Sequence, residues 1–302
     1  MLRERISRGL SGLLKIGELP PVIPSPATPI MPGQAVSTEL QLLLRLQYGQ
    51  LKALKLPLPG LDEVGFRVFS EADEDGILHY IFSLIGTSNK KLVDLGAGGV
   101  FGSNTANLLV NHGWSGLLVE GDLAKVDQLT KFYAECLDTK NYPPKCVNAW
   151  MTAENINDVI RSNGITGEID LMCIDIDGID YWLWKAIDVV SPRVIVVEYQ
   201  CIWGPERSVT VPYDPEFKAS FDGPYGIYNG ASLAAFVKLA KAKGYRLVGC
   251  HRYGYNGFFV RNDVGQDCLP EVSAESCFKH PFTRWAQEQF LPKIENLRWV
   301  EV

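Results

Sequence analysis

Val93-Asp94-Leu95-Gly96-Ala97-Gly98-Gly99-Val100-Phe101-Gly102 decides the fold of this 302-residue chain. Lys91 to Leu95 is a short apolar run that reads as a strand, and Asn104 to Asn111 has the periodicity of a helix. The glycines between them let the backbone turn sharply and approach a ligand with no Cβ in the way. A helix N-terminus then follows, which favours polar and negative groups.

Outward from this loop, strand and helix alternate, the pattern of a parallel sheet with crossover helices. Ser115 to Glu120, Lys145 to Ala149, Ile169 to Ile174 and Val194 to Tyr199 read as strands. Leu123 to Cys136, Ile156 to Ser162, Tyr181 to Val190 and Ala231 to Lys243 read as helices. The β-branched run at Val194 predicts burial on both faces. Tyr245 to Cys250 and Gly257 to Arg261 read as a hairpin, so the last strand is expected antiparallel to the rest. Gln200 to Gly230 is too long and too rich in Pro, Gly, Tyr and Trp for an ordinary connection, and such loops over strand ends are often substrate lids.

Residues 1–64 read as an N-terminal arm with helices, 65–265 as the α/β domain and 266–302 as a C-terminal extension with a helix near Phe282 to Phe290. Met1 to Gly17 carries Leu2, Ile6, Leu10, Leu13 and Leu14 at helical spacing, which suits a helix packed on the body or a partner subunit, or one lying on a membrane surface. The proline-rich stretch Glu18 to Gln34 reads as an extended arm, and Thr38 to Leu54 as a helix. The acidic turn Glu71 to Gly76 is expected to cap the helix that follows it. Arm and tail together invite a homo-oligomer.

The net charge of −6, with no run of Lys and Arg, disfavours a nucleic-acid partner. No apolar run approaches the ~20 residues of a membrane span, and the first residues lack the long apolar core of a secretory signal. Seven cysteines without a CxxC pair suit reduced thiols in a cytoplasmic protein.

The glycine loop does not meet the dinucleotide fingerprint GxGxxG, since Gly98 is followed by Gly102 instead of a glycine three places on. Asp94, just before Gly96, has little reason to face a pyrophosphate. It suits the ammonium group of a methionine moiety. The segment resembles the first motif of class I S-adenosylmethionine-dependent methyltransferases, hydrophobic-Asp-hydrophobic-Gly-x-Gly, which implies a Rossmann-like, doubly wound seven-stranded sheet. The resemblance implies that Asp94, Gly96, Gly98 and Gly102 line the cofactor and that Glu120 holds its ribose hydroxyls, leaving Asp122 to cap the following helix. It places the adenine near Met151 or Thr152, with Trp150 either a competing stacker or a core residue.

Cys173-Ile174-Asp175-Ile176-Asp177-Gly178-Ile179-Asp180 crowds three carboxylates at the fourth strand end. With the acidic turn and Glu198-Tyr199, this looks like the FkbM-like branch of bacterial methyltransferases, over about residues 65 to 262, whose members O-methylate sugars and natural products. Asp175, also a cofactor neighbour, or Asp177 would act as general base, or Asp175, Asp177 and Glu198 would hold Mg²⁺. Asp180 is expected to cap the next helix. His251 is a secondary base candidate, read first as a solvated hairpin histidine. Tyr199, Trp203, Tyr213, Tyr225 and Tyr228 would suit a saccharide or other small ring as acceptor, or pack the loop on the body. The rival readings are a DxD nucleotide-sugar glycosyltransferase, which leaves the glycine loop and Glu120 idle, a nicotinamide oxidoreductase, and a nonenzymatic protein that keeps the fold.

Overall fold

The computed structural model describes residues 36–219 and 227–302, so the N-terminal helix, the proline-rich arm and Tyr225 lie outside the described residues. Seven strands form one sheet: β1 (Lys91–Leu95), β2 (Ser115–Glu120), β3 (Lys145–Asn148), β4 (Gly167–Ile174), β5 (Val190–Glu198), β7 (Tyr245–Cys250) and β8 (Asn256–Arg261). Their order is β3-β2-β1-β4-β5-β8-β7. All neighbouring pairs run parallel except those of β8, which is antiparallel to both β5 and β7. This is the expected doubly wound, Rossmann-like sheet with an antiparallel last strand.

The strand order reverses between β1 and β4, so the crevice at their carboxyl ends is where such a sheet binds ligands. Alternation along the strands feeds two cores: Val93, Leu95, Ile195, Val197 and Phe259 on one face, Leu92, Val194, Val196, Phe258 and Val260 on the other. The central strands are therefore covered on both sides.

The crossover helices are α3 (Ala106–His112), α4 (Leu123–Glu135), α5 (Ile156–Ser162), α6 (Asp180–Ala186) and α7 (Leu233–Ala242), preceded by α1 (Thr38–Ala53) and α2 (Glu74–Ile85). Asp122 caps α4 by accepting from the Ala124 amide at 2.9 Å. The helix expected from Tyr181 to Val190 stops at Ala186; the β-branched Ile187, Val189 and Val190 favour extended backbone, and β5 begins at Val190.

At the base of the sheet, opposite the crevice, Asp170 is fully buried and accepts from the Ser88, Asn89 and Lys90 amides and from Arg193 at 2.6 Å. Burial alone would raise its pKa, but these donors hold the carboxyl below its usual range.

The tail holds more regular structure than its sequence suggests. The helix α8 (Pro281–Ile294) buries Phe282, Ala286, Phe290 and Ile294 in the main core. The strand β9 (Val300–Glu301) pairs antiparallel with β6 (Val209–Thr210), fastening the long loop after β5. Within that loop Tyr199 and Trp203 are buried, and Trp203 packs edge-on against Trp299 with centroids 4.5 Å apart. No helix among the described residues is long and apolar enough to cross a membrane.

Candidate active site

The glycine loop leaves β1 and folds across the end of β2. Register pairs Leu95 with Val119, and the Gly96 and Ala97 amides both donate to the Val119 carbonyl, at 2.9 and 3.1 Å. Gly96 has φ 86°, and a Cβ there would meet the Asp175 carbonyl oxygen at 1.8 Å, so only glycine fits. Glu120, at the end of β2, accepts from the Gly98 amide at 2.8 Å through Oε2 and from the Asp122 amide at 2.9 Å through Oε1. Each carboxylate oxygen keeps a further lone pair for a ligand.

Asp94 is buried and accepts from the Thr105 hydroxyl at 2.6 Å. Burial pushes its carboxyl up to about 7, and the charges of Asp175 and Glu120 add to that against the Thr105 hydrogen bond. Thr105 and its neighbour Ser103, whose hydroxyl accepts from the Thr105 and Ala106 amides, were not singled out in the sequence. Their place between the last glycine and α3 is the available signal.

Two cavities open on this loop and share Gly96 and Asp175. The larger, about 150 Å³, is lined by Glu120, Trp150, Met151, Asp177, Ile179 and Phe217 among others. The smaller, about 40 Å³, is lined by Asp94, Gly99, Gly102, Ser103 and Cys173 among others. Trp150 is no core residue: it is 48% exposed, lies over Gly121, and donates from its indole to the Pro215 carbonyl at 2.7 Å. Thr152 does not line either cavity, because its hydroxyl accepts from the Asn155 amide in the turn leading to α5. Pro215 and Phe217 bring the loop after β5 into the crevice wall.

Asp175, Asp177 and Glu198 converge, each offering one oxygen within 4.8 Å of the others. The cause is register: Ile174 pairs with Val197, so the residues just beyond, Asp175 and Glu198, stand side by side. Asp177 is buried with φ 58°, a left-handed conformation rare outside glycine and common at functional turns. Asp180 does not cap α6. Its oxygens instead accept from the Ile176 and Gly178 amides at 2.8 and 2.9 Å and fix the turn carrying Asp177, while burial raises its pKa to about 6.

His251 departs most from expectation. It is fully buried, lines neither crevice cavity, and packs against the rings of both Tyr253 and Tyr255 with its Nε2 3.3 Å from Asp73 and 3.8 Å from Glu74. The acidic turn likewise does not cap α2 as expected, since Asp73, at the cap position, makes no side-chain cap bond. Asp75 turns back to accept from the Val68, Phe69 and Ser70 amides, shaping a strap whose Phe69 carbonyl accepts from the Gly102 amide at 2.7 Å.

No protein-family model matches this chain. No curated protein matches it either. Among solved structures, it is similar to an O-methyltransferase from Bacillus cereus in complex with SAH, at 15% identity and TM-score 0.40, over 76% of this chain and 93% of that one. TomG, an O-methyltransferase of Streptomyces achromogenes involved in tomaymycin synthesis, is similar at 15% identity and TM-score 0.39 over 72% and 89%. The mitomycin 7-O-methyltransferase MmcR is similar at 14% identity and TM-score 0.37, over 72% of this chain but only 54% of MmcR.

Proposed function

We propose that this protein transfers a methyl group from S-adenosylmethionine to a hydroxyl of a small molecule, with a saccharide the acceptor class that its resemblance to the FkbM-like branch favours. The observation that carries this reading is the pair of cavities meeting at Gly96 and Asp175, one with Glu120 beneath aromatic and aliphatic walls, the other with buried Asp94 at its back.

The residues fit that cofactor. Glu120 has two acceptor oxygens for vicinal ribose hydroxyls. Met151, Ile176, Ile179 and Phe217 supply apolar surface for a base. Asp94, as a carboxylate, would receive an ammonium group, whose charge favours its ionised form. Bound S-adenosylmethionine supplies an already activated methyl, so the chain needs no nucleophile of its own and must only align the acceptor and handle one proton.

Asp175, Asp177 and Glu198 suit a hard cation such as Mg²⁺, which commonly takes one or two carboxylates and leaves places for substrate oxygens. Held there, it would lower the pKa of the acceptor hydroxyl. In the alternative without a cation, Asp177, presented by its left-handed turn and lining the larger cavity, is the carboxylate we assign to take the proton. All seven cysteines are free, as a reducing cytoplasm would keep them. A glycosyltransferase would leave Asp94 and Glu120 with no task.

Crystals soaked with S-adenosylhomocysteine test the assignment. The ribose is expected against Glu120 and the amino-acid end toward Asp94; a ligand bound elsewhere, or none, overturns it.

A further inference from the structure

The acidic turn before α2 and the β7–β8 turn are far apart in sequence and meet in a buried cluster that the proposed chemistry does not use. Asp73, Glu74 and His251 each present one ligand-type atom within 4.8 Å of the others, and all three are at most 5% exposed.

We propose that Asp73, Glu74 and His251 form a binding site for a first-row transition-metal ion of the zinc type, separate from the Asp175, Asp177 and Glu198 carboxylates. One imidazole with two carboxylates is a donor set that such ions favour over Mg²⁺.

The separations are longer than direct charge-assisted hydrogen bonds, and the His251–Asp73 one matches two ligands of a single ion, with Glu74 about 0.2 Å beyond the ligand–ligand range. Charge-assisted N–H···O bonds run at ~2.7–2.9 Å. His251 Nε2 stands instead 3.3 Å from Asp73 Oδ1 and 3.8 Å from Glu74 Oε1. Ligand atoms ~2.0–2.2 Å from a tetrahedral ion lie roughly 3.3–3.6 Å from each other.

The outer contacts aim the carboxylates. Arg252 Nε donates to Asp73 Oδ2 at 2.7 Å, and the Ala72 amide donates to Glu74 Oε2 at 3.0 Å. Each acid is thus held by its far oxygen, with the near one turned toward His251, the arrangement by which second partners orient metal ligands. Asp73 Oδ1 accepts no hydrogen bond from the described residues.

An independent observation comes from Asn256. It is more than nine-tenths buried, its Nδ2 lies 3.1 Å from Glu74 Oε1, and its Oδ1 has no hydrogen-bond partner among the described residues. Turning that amide over would bring its oxygen to the cluster as a further ligand, an exchange that side-chain amides make with no change of shape.

An ion here would tie α2 to the β7–β8 hairpin, next to the strap on which the glycine loop rests. Its role is then structural, and it does not depend on the cofactor reading.

The test uses the full chain, stripped with chelator, saturated with ZnCl₂, desalted and assayed for metal by mass spectrometry, with melting temperature measured in parallel. The expected result is one zinc retained per chain, with the melting temperature raised by zinc and lowered again by chelator. His251→Gln is expected to retain none, and Asp177→Asn to retain it. Zinc absent from the wild type, or retained equally by His251→Gln, or lost by Asp177→Asn alone, overturns the proposal. Should His251→Gln fail to fold, calorimetric titration of the stripped wild type with ZnCl₂ and with MgCl₂ decides: preference for Mg²⁺, or no zinc heat, overturns it equally.

Discussion

The Gly98 amide donates a 2.8 Å hydrogen bond to Glu120 Oε2, joining the glycine loop to the end of β2 across 22 positions of sequence. The same carboxylate that would grip a ribose therefore also shapes the loop above it. Glu120→Ala is expected to weaken S-adenosylmethionine binding by about 10- to 100-fold, from the loss of one or two hydrogen bonds to a charged group. Glu120→Gln, which keeps acceptor geometry on one side only, should fall between. Isothermal calorimetry checks both.

Gly96→Ala meets a harder obstacle, the Asp175 carbonyl 1.8 Å from the new Cβ at a φ of 86°. We expect a loss of at least about 2 kcal/mol in urea unfolding and no measurable cofactor binding, because the loop must move away from β4. Gly113→Ala makes a useful comparison: its φ of 65° is also left-handed, but nothing stands near its Cβ, so it should cost only about 1 kcal/mol and leave binding intact.

Asp94 gives a pH signature. Its pKa is raised to about 7 in the folded state from an ordinary value of 3.8. A raised acid pKa favours the folded state at low pH, and that contribution is lost as pH rises between these two values. Asp94→Asn should therefore gain stability relative to the unliganded wild type as pH rises from 4 to 8, by about 1–3 kcal/mol at the upper end. Urea melts at both pH values check this. The same variant should bind S-adenosylmethionine more weakly at pH 8, where the wild-type carboxylate is ionised.

Asp170 predicts the opposite slope. Its pKa is lowered in the fold, so its contribution is present above the ordinary value of 3.8 and is lost as pH falls through the lower folded value. Asp170→Asn leaves the nearly buried Arg193 guanidinium with only neutral acceptors, among them the Gly86 and Ile85 carbonyls, in place of a carboxylate at 2.6 Å, and should cost about 3–5 kcal/mol in denaturant unfolding at pH 7. Co-substitution with Arg193→Met should recover part of that loss.

Parts of the site were legible in the sequence because parallel strands place their carboxyl ends in one row. A glycine loop after one strand, Glu120 at the end of the next, Asp175 after the fourth and Glu198 at the end of the fifth must then share one edge, and the β4–β5 register sets the last two side by side. Local reading failed where a side chain's partner is distant. His251 looked like a solvent-facing turn residue, yet Asp73 and Glu74 reach it from a helix start that is close only in the fold. Asp180 looked like a cap, but its amide partners lie before the helix, at Ile176 and Gly178. Thr152 sits one residue past Met151, but it is committed to its own turn with Asn155. The pairing of β9 with β6 involves two residues on each strand, too few to leave a periodic trace.

A calorimetric titration of the full chain with S-adenosylmethionine, NAD and a UDP-sugar, each with and without Mg²⁺, decides which ligand the glycine loop takes. Stoichiometric binding of S-adenosylmethionine alone is expected, weakened by about 10- to 100-fold in Glu120→Ala. Saturable binding of NAD or the UDP-sugar in preference, or no heat with S-adenosylmethionine, would contradict the proposed function.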